Sequence, residues 1–300
     1  MADRAASVLT RLKNQANLTG RTFQLCLQLF CQEEFLRRLA GSKYKNNLVL
    51  KGGHLIYCLT EFSSRPTVDI DFLARDTPNT IEALRDVLST IIDTPTGNDF
   101  ILYEIKHIKI ISIDKKYPGL SAVLQARIKN TKTPIKIDFG FGDLVYPEDQ
   151  MRTVPTQLND FIAPLVKTYS LETVVAEKLD AILNLMEFSS RMKDYYDLYF
   201  LSVGFDLDGN QLRTALIKIF KNRERTYKQE DMKRVLAFDQ NKDMVRKWDT
   251  FLKKVKLSPI QFNVVIAGIA AFLEPVWDSI YTNRSFAYSW RAKDGQWLGD

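Results

Sequence analysis

Apolar residues recur at three- and four-residue steps through residues 5–40, with Val8 and Leu12 followed by Phe23, Leu27 and Phe30 and no proline among them. Side chains at that spacing share one helical face, so the pattern predicts two helices or one bent one, with Gly20 as the break. The character changes in "NLVLKGGHLIYCLTEF". There Leu48 to Leu50 read as a short strand, Gly52 and Gly53 as a tight turn, and His54 to Phe62 as a helix. "RPTVDIDFLARD" alternates as a strand. "TPNTIEALRDVLSTIID" offers Asn79 or Thr80 as a cap, Glu82 in the first turn, and Ile81, Leu84, Val87, Leu88 and Ile91 at helical spacing. "FILYEIKHIKIISI", "LSAVLQARIK" and "PIKIDFGFGD" then alternate with period two, as strands do. From Ser170 to Trp277 the helical spacing returns. The expected class is α+β: a mixed-sheet domain with N-terminal helices over 1–165 and a mainly helical domain over 166–300.

Composition fits this picture. The chain has 300 residues, 45% hydrophobic and 26% charged, enough to build packed cores and too apolar for wholesale disorder. Cys26, Cys31 and Cys58 lie in apolar runs with no CxxC pair, so they read as reduced core residues. "MADRAASVLTRLKNQ" carries charge where a signal peptide needs an apolar stretch, which points to a cytoplasmic protein. "PIQFNVVIAGIAAFLEPVW" is interrupted by Gln261, Asn263 and Glu274 and reads as a packed helix rather than a membrane span. The net charge of +6 is uneven: Lys218 to Lys256 holds 13 basic and 6 acidic residues, and the rest of the chain is close to neutral. Such a segment is either a solvated helical face or a surface for nucleic-acid phosphates.

Alternation also places chemistry. In a strand, Asp69 and Asp71 point to one face while Val68, Ile70 and Phe72 point to the other. Two carboxylates so close repel unless a proton or a cation relieves them, and a divalent ion does so directly. In "PIKIDFGFGD", Asp138 shares a face with Lys136, opposite Ile135, Ile137, Phe139 and Phe141, and offers a third carboxylate. Mg²⁺ or Mn²⁺ favours such oxygen ligands together with substrate phosphates. Two ions roughly 3.5–4 Å apart assist in-line displacement at phosphorus. Gly52 and Gly53 complete the set, since glycines let backbone N–H groups approach a triphosphate at the start of a helix. His54 and His107 are the only histidines; His54 follows the turn, and His107 sits in an alternating strand as a structural residue. No Ser-His-Asp or Cys-His arrangement can be assembled, so acyl transfer has no basis.

Five segments in order, "LVLKGGHLIYCL", "RPTVDIDFLA", "IKIDFGFGD", "YSLETVVAEKLDAIL" and "RMKDYYDLYFL", resemble the motifs of the AbiEii/AbiGii-type toxin nucleotidyltransferases, within the DNA polymerase β-like superfamily. The resemblance spans residues 48 to 201. It implies a nucleotidyltransferase fold, Mg²⁺, a nucleoside triphosphate, and a toxin of an abortive-infection or toxin–antitoxin pair with a cognate antitoxin. It assigns Gly52 and Gly53 to the phosphate turn, Asp69, Asp71 and Asp138 to the metals, and Lys178 to the triphosphate. Asp194 takes the acidic position of "KDYYDL", with Asp197 one turn later. Arg65 and Thr67 fall in the pattern before the aspartates, Arg65 to pair with phosphate or with the acidic motif. A salt bridge between Lys178 and Asp194 is the structural alternative. Where relatives more generally carry Gly-Ser, this chain has Gly53, so no serine hydroxyl is supplied there.

The expectation is an EC 2.7.7-type enzyme that moves a nucleotide onto an RNA hydroxyl, tRNA above all, with the basic segment steering the RNA. A protein hydroxyl as acceptor, or a non-catalytic module that binds nucleotide or RNA and acts through a partner, are the alternatives.

Overall fold

The computed structural model describes residues 3–112, 118–255 and 258–299. Two compact units emerge. The first comprises Met1–Glu61, Pro66–Gly142 and Gln150–Thr168; the second comprises Phe62–Arg65, Asp143–Asp149 and Tyr169–Asp300. The division is discontinuous, unlike the single boundary at 165/166 expected from sequence.

In the first unit, α1 (Arg4–Thr19) starts on the Asp3 side chain and stops at Gly20, whose φ of 69° is the left-handed conformation that ends helices. Then come α2 (Phe23–Gly41), β1 (Leu48–Lys51), α3 (Gly52–Leu59), β2 (Asp69–Ala74) and α4 (Ile81–Ile92), the last capped by Thr80. Strands β3 (Ile101–Ile111), β4 (Gly119–Ile128), β5 (Thr131–Phe141), β6 (Gln150–Thr153) and β7 (Leu165–Thr168) complete it. The end of the expected strand "FILYEIKHIKIISI", at Ile113, lies outside the described residues.

The seven strands form one mixed sheet in the order β3-β4-β5-β2-β1-β7-β6. β2 and β5 run parallel at its centre. Their alternation sorts the faces: Ile70, Phe72, Ile135, Ile137 and Phe139 are buried. Phe72 stacks on Phe139 with ring centroids 6.0 Å apart, and Phe35 of α2 lies 6.3 Å from Phe72. Helix α2 therefore covers the face opposite Asp69 and Asp71. Val68, expected on that apolar face, precedes the strand and is exposed. β6 and β7 fall in "VPTQLNDFIAPLV" and its approaches, too short for periodicity to reveal them.

Helix α2 also ties down the acid-bearing strands. Gln28 and Gln32 donate to the Val68 carbonyl at 3.1 and 2.8 Å, and Gln24 donates to Thr133 Oγ1 at 2.8 Å. Its middle holds four buried ionisable side chains, of which Glu33 has its pKa pushed up to about 8 by burial. Glu34 accepts from Arg37 and Arg38 at 3.1 Å each, Glu33 pairs with Arg37 at 3.3 Å, and both arginines also donate to backbone carbonyls. Buried charges persist only when paired and hydrogen-bonded in this way.

The second unit contains α5 (Leu171–Leu185), α6 (Met192–Gly204), β8 (Leu207–Asp208), α7 (Gly209–Asn222), α8 (Gln229–Leu236), α9 (Lys242–Val255), α10 (Phe262–Tyr281), β9 (Tyr288–Arg291) and β10 (Gln296–Gly299). It is mainly helical, as expected. The unexpected addition is a small antiparallel sheet ordered β10-β9-β8, whose strands of two to four residues are too short to show alternation. Helix α10 is long and apolar enough to cross a membrane by length and composition alone, with mean hydropathy 1.5. It packs instead on α6, α7 and α8, burying Val265, Ile269, Phe272, Val276 and Trp277, which is how a core helix passes the same test.

Candidate active site

The strand register assembles the acidic face. In the parallel pair, Asp71 is the register partner of Asp138 and Asp69 is the partner of Lys136. Register partners project to the same side, so all three carboxylates and the Lys136 ammonium share one face. The row continues across the sheet: Lys51 of β1 is the partner of Asp71, and Ser121 of β4 is the partner of Asp138. Lys136 Nζ lies 2.8 Å from Asp138 Oδ2 and 3.4 Å from Asp69 Oδ2. Burial alone would lower the lysine's pKa, but the hydrogen bond and charge of Asp138, then Asp69, raise it overall. Buried Ser121 donates to Asp138 Oδ1 at 2.6 Å.

Gly52 opens α3 beside this row. Its φ is +70°, and a Cβ there would collide with Asp71 Oδ2 and reach 2.8 Å from Asp71 Cγ. The position therefore needs glycine twice, for conformation and for space. Gly53 lies in the first turn of the same helix, and Thr67 is half-buried two residues before β2. His54 is buried, and neither ring nitrogen has a hydrogen-bond partner among the described residues. Desolvation lowers its pKa to about 4, so the ring is neutral at physiological pH. His107, expected as a structural residue, is exposed: a bulge between Ile105 and His107 in the edge strand β3 turns it to the acidic face, in register with Val123.

Among the described residues no three His, Cys, Asp or Glu side chains are closed around one point. The triad shares a face without forming a ready-made cage, and Lys136 reaches between Asp69 and Asp138. The donor set nevertheless suits a divalent ion. Carboxylates from two adjacent strands already hold one cation, and all are hard oxygen donors.

The second unit brings together the other predicted group. Arg65 clasps Asp197 with two bonds of 2.7 Å. Lys178 on α5 donates to Asp194 Oδ1 at 3.3 Å and to Asp197 Oδ2 on α6. Arg191 adds a 2.7 Å bond to Asp194. All but Arg191 are buried. Burial would lower the pKa of Lys178, but Asp197 and Asp194 raise it; burial would likewise raise that of Asp194, but Lys178 and Arg191 hold it below its usual value. Arg65 thus pairs with the acidic motif, and Lys178 makes the interhelical salt bridge that was the alternative to a triphosphate contact.

The basic segment is partly spent inside the fold. Arg223 and Arg225 pair with buried Asp180, Arg234 pairs with Glu187, and Lys247 donates to the carbonyls of Glu187 and Ser189. Lys221, Lys233, Lys242, Lys253 and Lys254 stay exposed, and Lys256 lies outside the described residues.

A family model described as the nucleotidyl transferase AbiEii toxin of a Type IV toxin–antitoxin system matches residues 34–282. The chain belongs to this family. The matched span contains the glycine turn, the acidic face and the buried ion cluster, and reaches well beyond the 48–201 of the motif resemblance. AbiEii membership makes the chain a nucleotidyltransferase of the toxin–antitoxin type. Two solved structures share the fold. JHP933 from Helicobacter pylori aligns with TM-score 0.52 and 14% identity, over 87% of this chain and 95% of that one. A second H. pylori protein, assigned provisionally as a nucleotidyltransferase, aligns with TM-score 0.50 and 15% identity, over 88% of this chain and 100% of that one. No curated protein matches the chain.

Lys136 and Ser121 are the site residues that sequence reading left without a role. Lys136 was visible on the Asp138 face, but its partner depends on the β2–β5 register. Ser121 needs the β4–β5 register, which no local pattern encodes.

Proposed function

We propose that this AbiEii-family chain is a Mg²⁺-dependent toxin that transfers a nucleotide from a nucleoside triphosphate to an RNA hydroxyl, with tRNA the foremost acceptor, in the cytoplasm and under the control of a cognate antitoxin. The observation that carries the reading is the pairing of Asp71 with Asp138 across parallel strands, with Asp69 on the same face and Gly52 against Asp71.

Asp69, Asp71 and Asp138 would hold the divalent ion, which when bound supplies positive charge to the triphosphate. The glycine turn offers backbone N–H groups and the start of α3 to phosphate oxygens. Asp138, fixed by Ser121, orients the acceptor hydroxyl and takes its proton as the oxygen bonds to the α-phosphorus. The bond from that phosphorus to the β-phosphate oxygen breaks, and pyrophosphate leaves. Arg65 and Lys178 stabilise the neighbouring acidic motif, and the exposed lysines of the 218–256 segment attract the RNA backbone.

The test is incubation of the purified protein with each labelled triphosphate, Mg²⁺ and total RNA. Label on RNA of tRNA size, absent with Asp69→Asn, supports the reading. Label appearing on protein instead moves the acceptor to a polypeptide, and toxicity that survives Asp69→Asn refutes catalysis.

A further inference from the structure

A divalent ion and Lys136 want the same oxygen. Ser121 occupies Asp138 Oδ1 from a buried position, which leaves Oδ2 as the atom turned toward Asp69, and Lys136 Nζ sits 2.8 Å from it. The same ammonium reaches Asp69 Oδ2 at 3.4 Å, so one lysine spans the two strands that carry the triad. The Ser121 bond orients the carboxylate, and Oδ2 is the oxygen that Lys136 takes. The lysine side chain, by contrast, is 42% exposed and carried on a flexible four-carbon stem. It is the member of the group that can leave.

We propose that Lys136 is a tethered counter-ion, bridging Asp69 and Asp138 until a divalent ion displaces it, and thereby setting the metal concentration at which the site fills. The inference rests on the reading of the triad as a metal site. Its physical basis is that two carboxylates on one face repel, and the ammonium relieves that repulsion before metal arrives. A metal ion must then both bind the carboxylates and expel a charge of its own sign. Because the lysine lies two residues before Asp138 on the same strand, it remains beside the site after release.

The experiment is a Mn²⁺ titration without nucleotide, following free Mn²⁺ by electron paramagnetic resonance, on wild type, Lys136→Met, Lys136→Arg and Asp69→Asn/Asp138→Asn. Lys136→Met keeps the length of the side chain and removes its charge; Lys136→Gln serves as a second uncharged variant, so the outcome does not depend on one substitution folding. The expected result is binding about tenfold tighter in the uncharged variants, the size of effect one neighbouring charge has on an ionic equilibrium. Lys136→Arg should bind no tighter than wild type. A melting temperature that rises more with added Mn²⁺ in Lys136→Met than in wild type is the matching thermal signature. Unchanged or weaker Mn²⁺ binding in both uncharged variants, with wild-type binding abolished by the double asparagine change, overturns the role of Lys136 and leaves the metal site standing. Wild type that binds no better than the double variant overturns both.

Discussion

Gly52 lies so close beneath Asp71 that any Cβ at position 52 would enter the space of the carboxylate. Gly52→Ala is therefore expected to push Asp71 out of the row it forms with Asp138. The left-handed φ adds roughly 1–2 kcal/mol of strain for a non-glycine residue, a cost the unit can bear. Nucleotide transfer should fall on the order of 100-fold, since displacing a reacting group by about 1 Å costs that much. Circular dichroism should remain native. Activity near wild type would show that the position of the Asp71 carboxylate is not critical.

Asp71→Asn should abolish transfer with the fold retained. The change removes repulsion from Asp69 and Asp138 but also the attraction of Lys51, its register partner, so the net effect on stability should be small. Thermal unfolding beside the labelled-triphosphate assay checks this. A loss of several kcal/mol would make Asp71 structural.

In the second unit the opposite balance applies. Asp197 is 1% exposed and neutralises both Arg65 and Lys178. Asp197→Ala removes both bonds from Arg65 and leaves Lys178 to Asp194, and should cost about 3–5 kcal/mol, the range for breaking one partner of a buried pair. Urea unfolding measures it. Adding Arg65→Ala to that variant should recover part of the loss, because the buried cation that lost its carboxylate is then gone.

His54 supplies a pH prediction. The unfolded chain takes up a proton at this residue near pH 6.5, whereas the folded chain does so only near 4. Its effect on stability is thus absent above about pH 6.5, grows as pH falls from 6.5 to 4, and levels off below. Between pH 7 and about pH 4, wild type should lose roughly 3 kcal/mol more than His54→Leu. At pH 7 the leucine variant should be at least as stable as wild type, since it removes two buried nitrogens without partners. Equal pH slopes in the two proteins would refute this account.

Much of the site was legible because its residues obey local rules. Asp69 and Asp71 alternate against Ile70 and Phe72, Asp138 alternates against Ile137 and Phe139, and Gly52-Gly53 marks the passage from strand to helix, although the helix begins at Gly52 and ends at Leu59 rather than running from His54 to Phe62. Thr80 and Gly20 mark helix ends for the same local reasons. What stayed hidden depends on long-range register. Nothing near Lys136 says that its partner is Asp69, 67 residues earlier, and nothing near Ser121 says that it faces Asp138. Local pattern is also silent on "CQEEFLRR", where Glu33, Glu34, Arg37 and Arg38 are buried and bonded to one another.

The strand order carries one more consequence. β2 lies between β5 and β1, and β5 lies between β4 and β2, so both acid-bearing strands are laddered on each side. Fraying begins at unpaired borders, here β3 and β6, and reaches interior strands last. In hydrogen-exchange measurements, amides around Ile70 and Ile137 should be among the slowest of the first unit, outlasting those of β6. The three carboxylates are thus carried on interior strands of their sheet, and they should keep their spacing through excursions that open its margins.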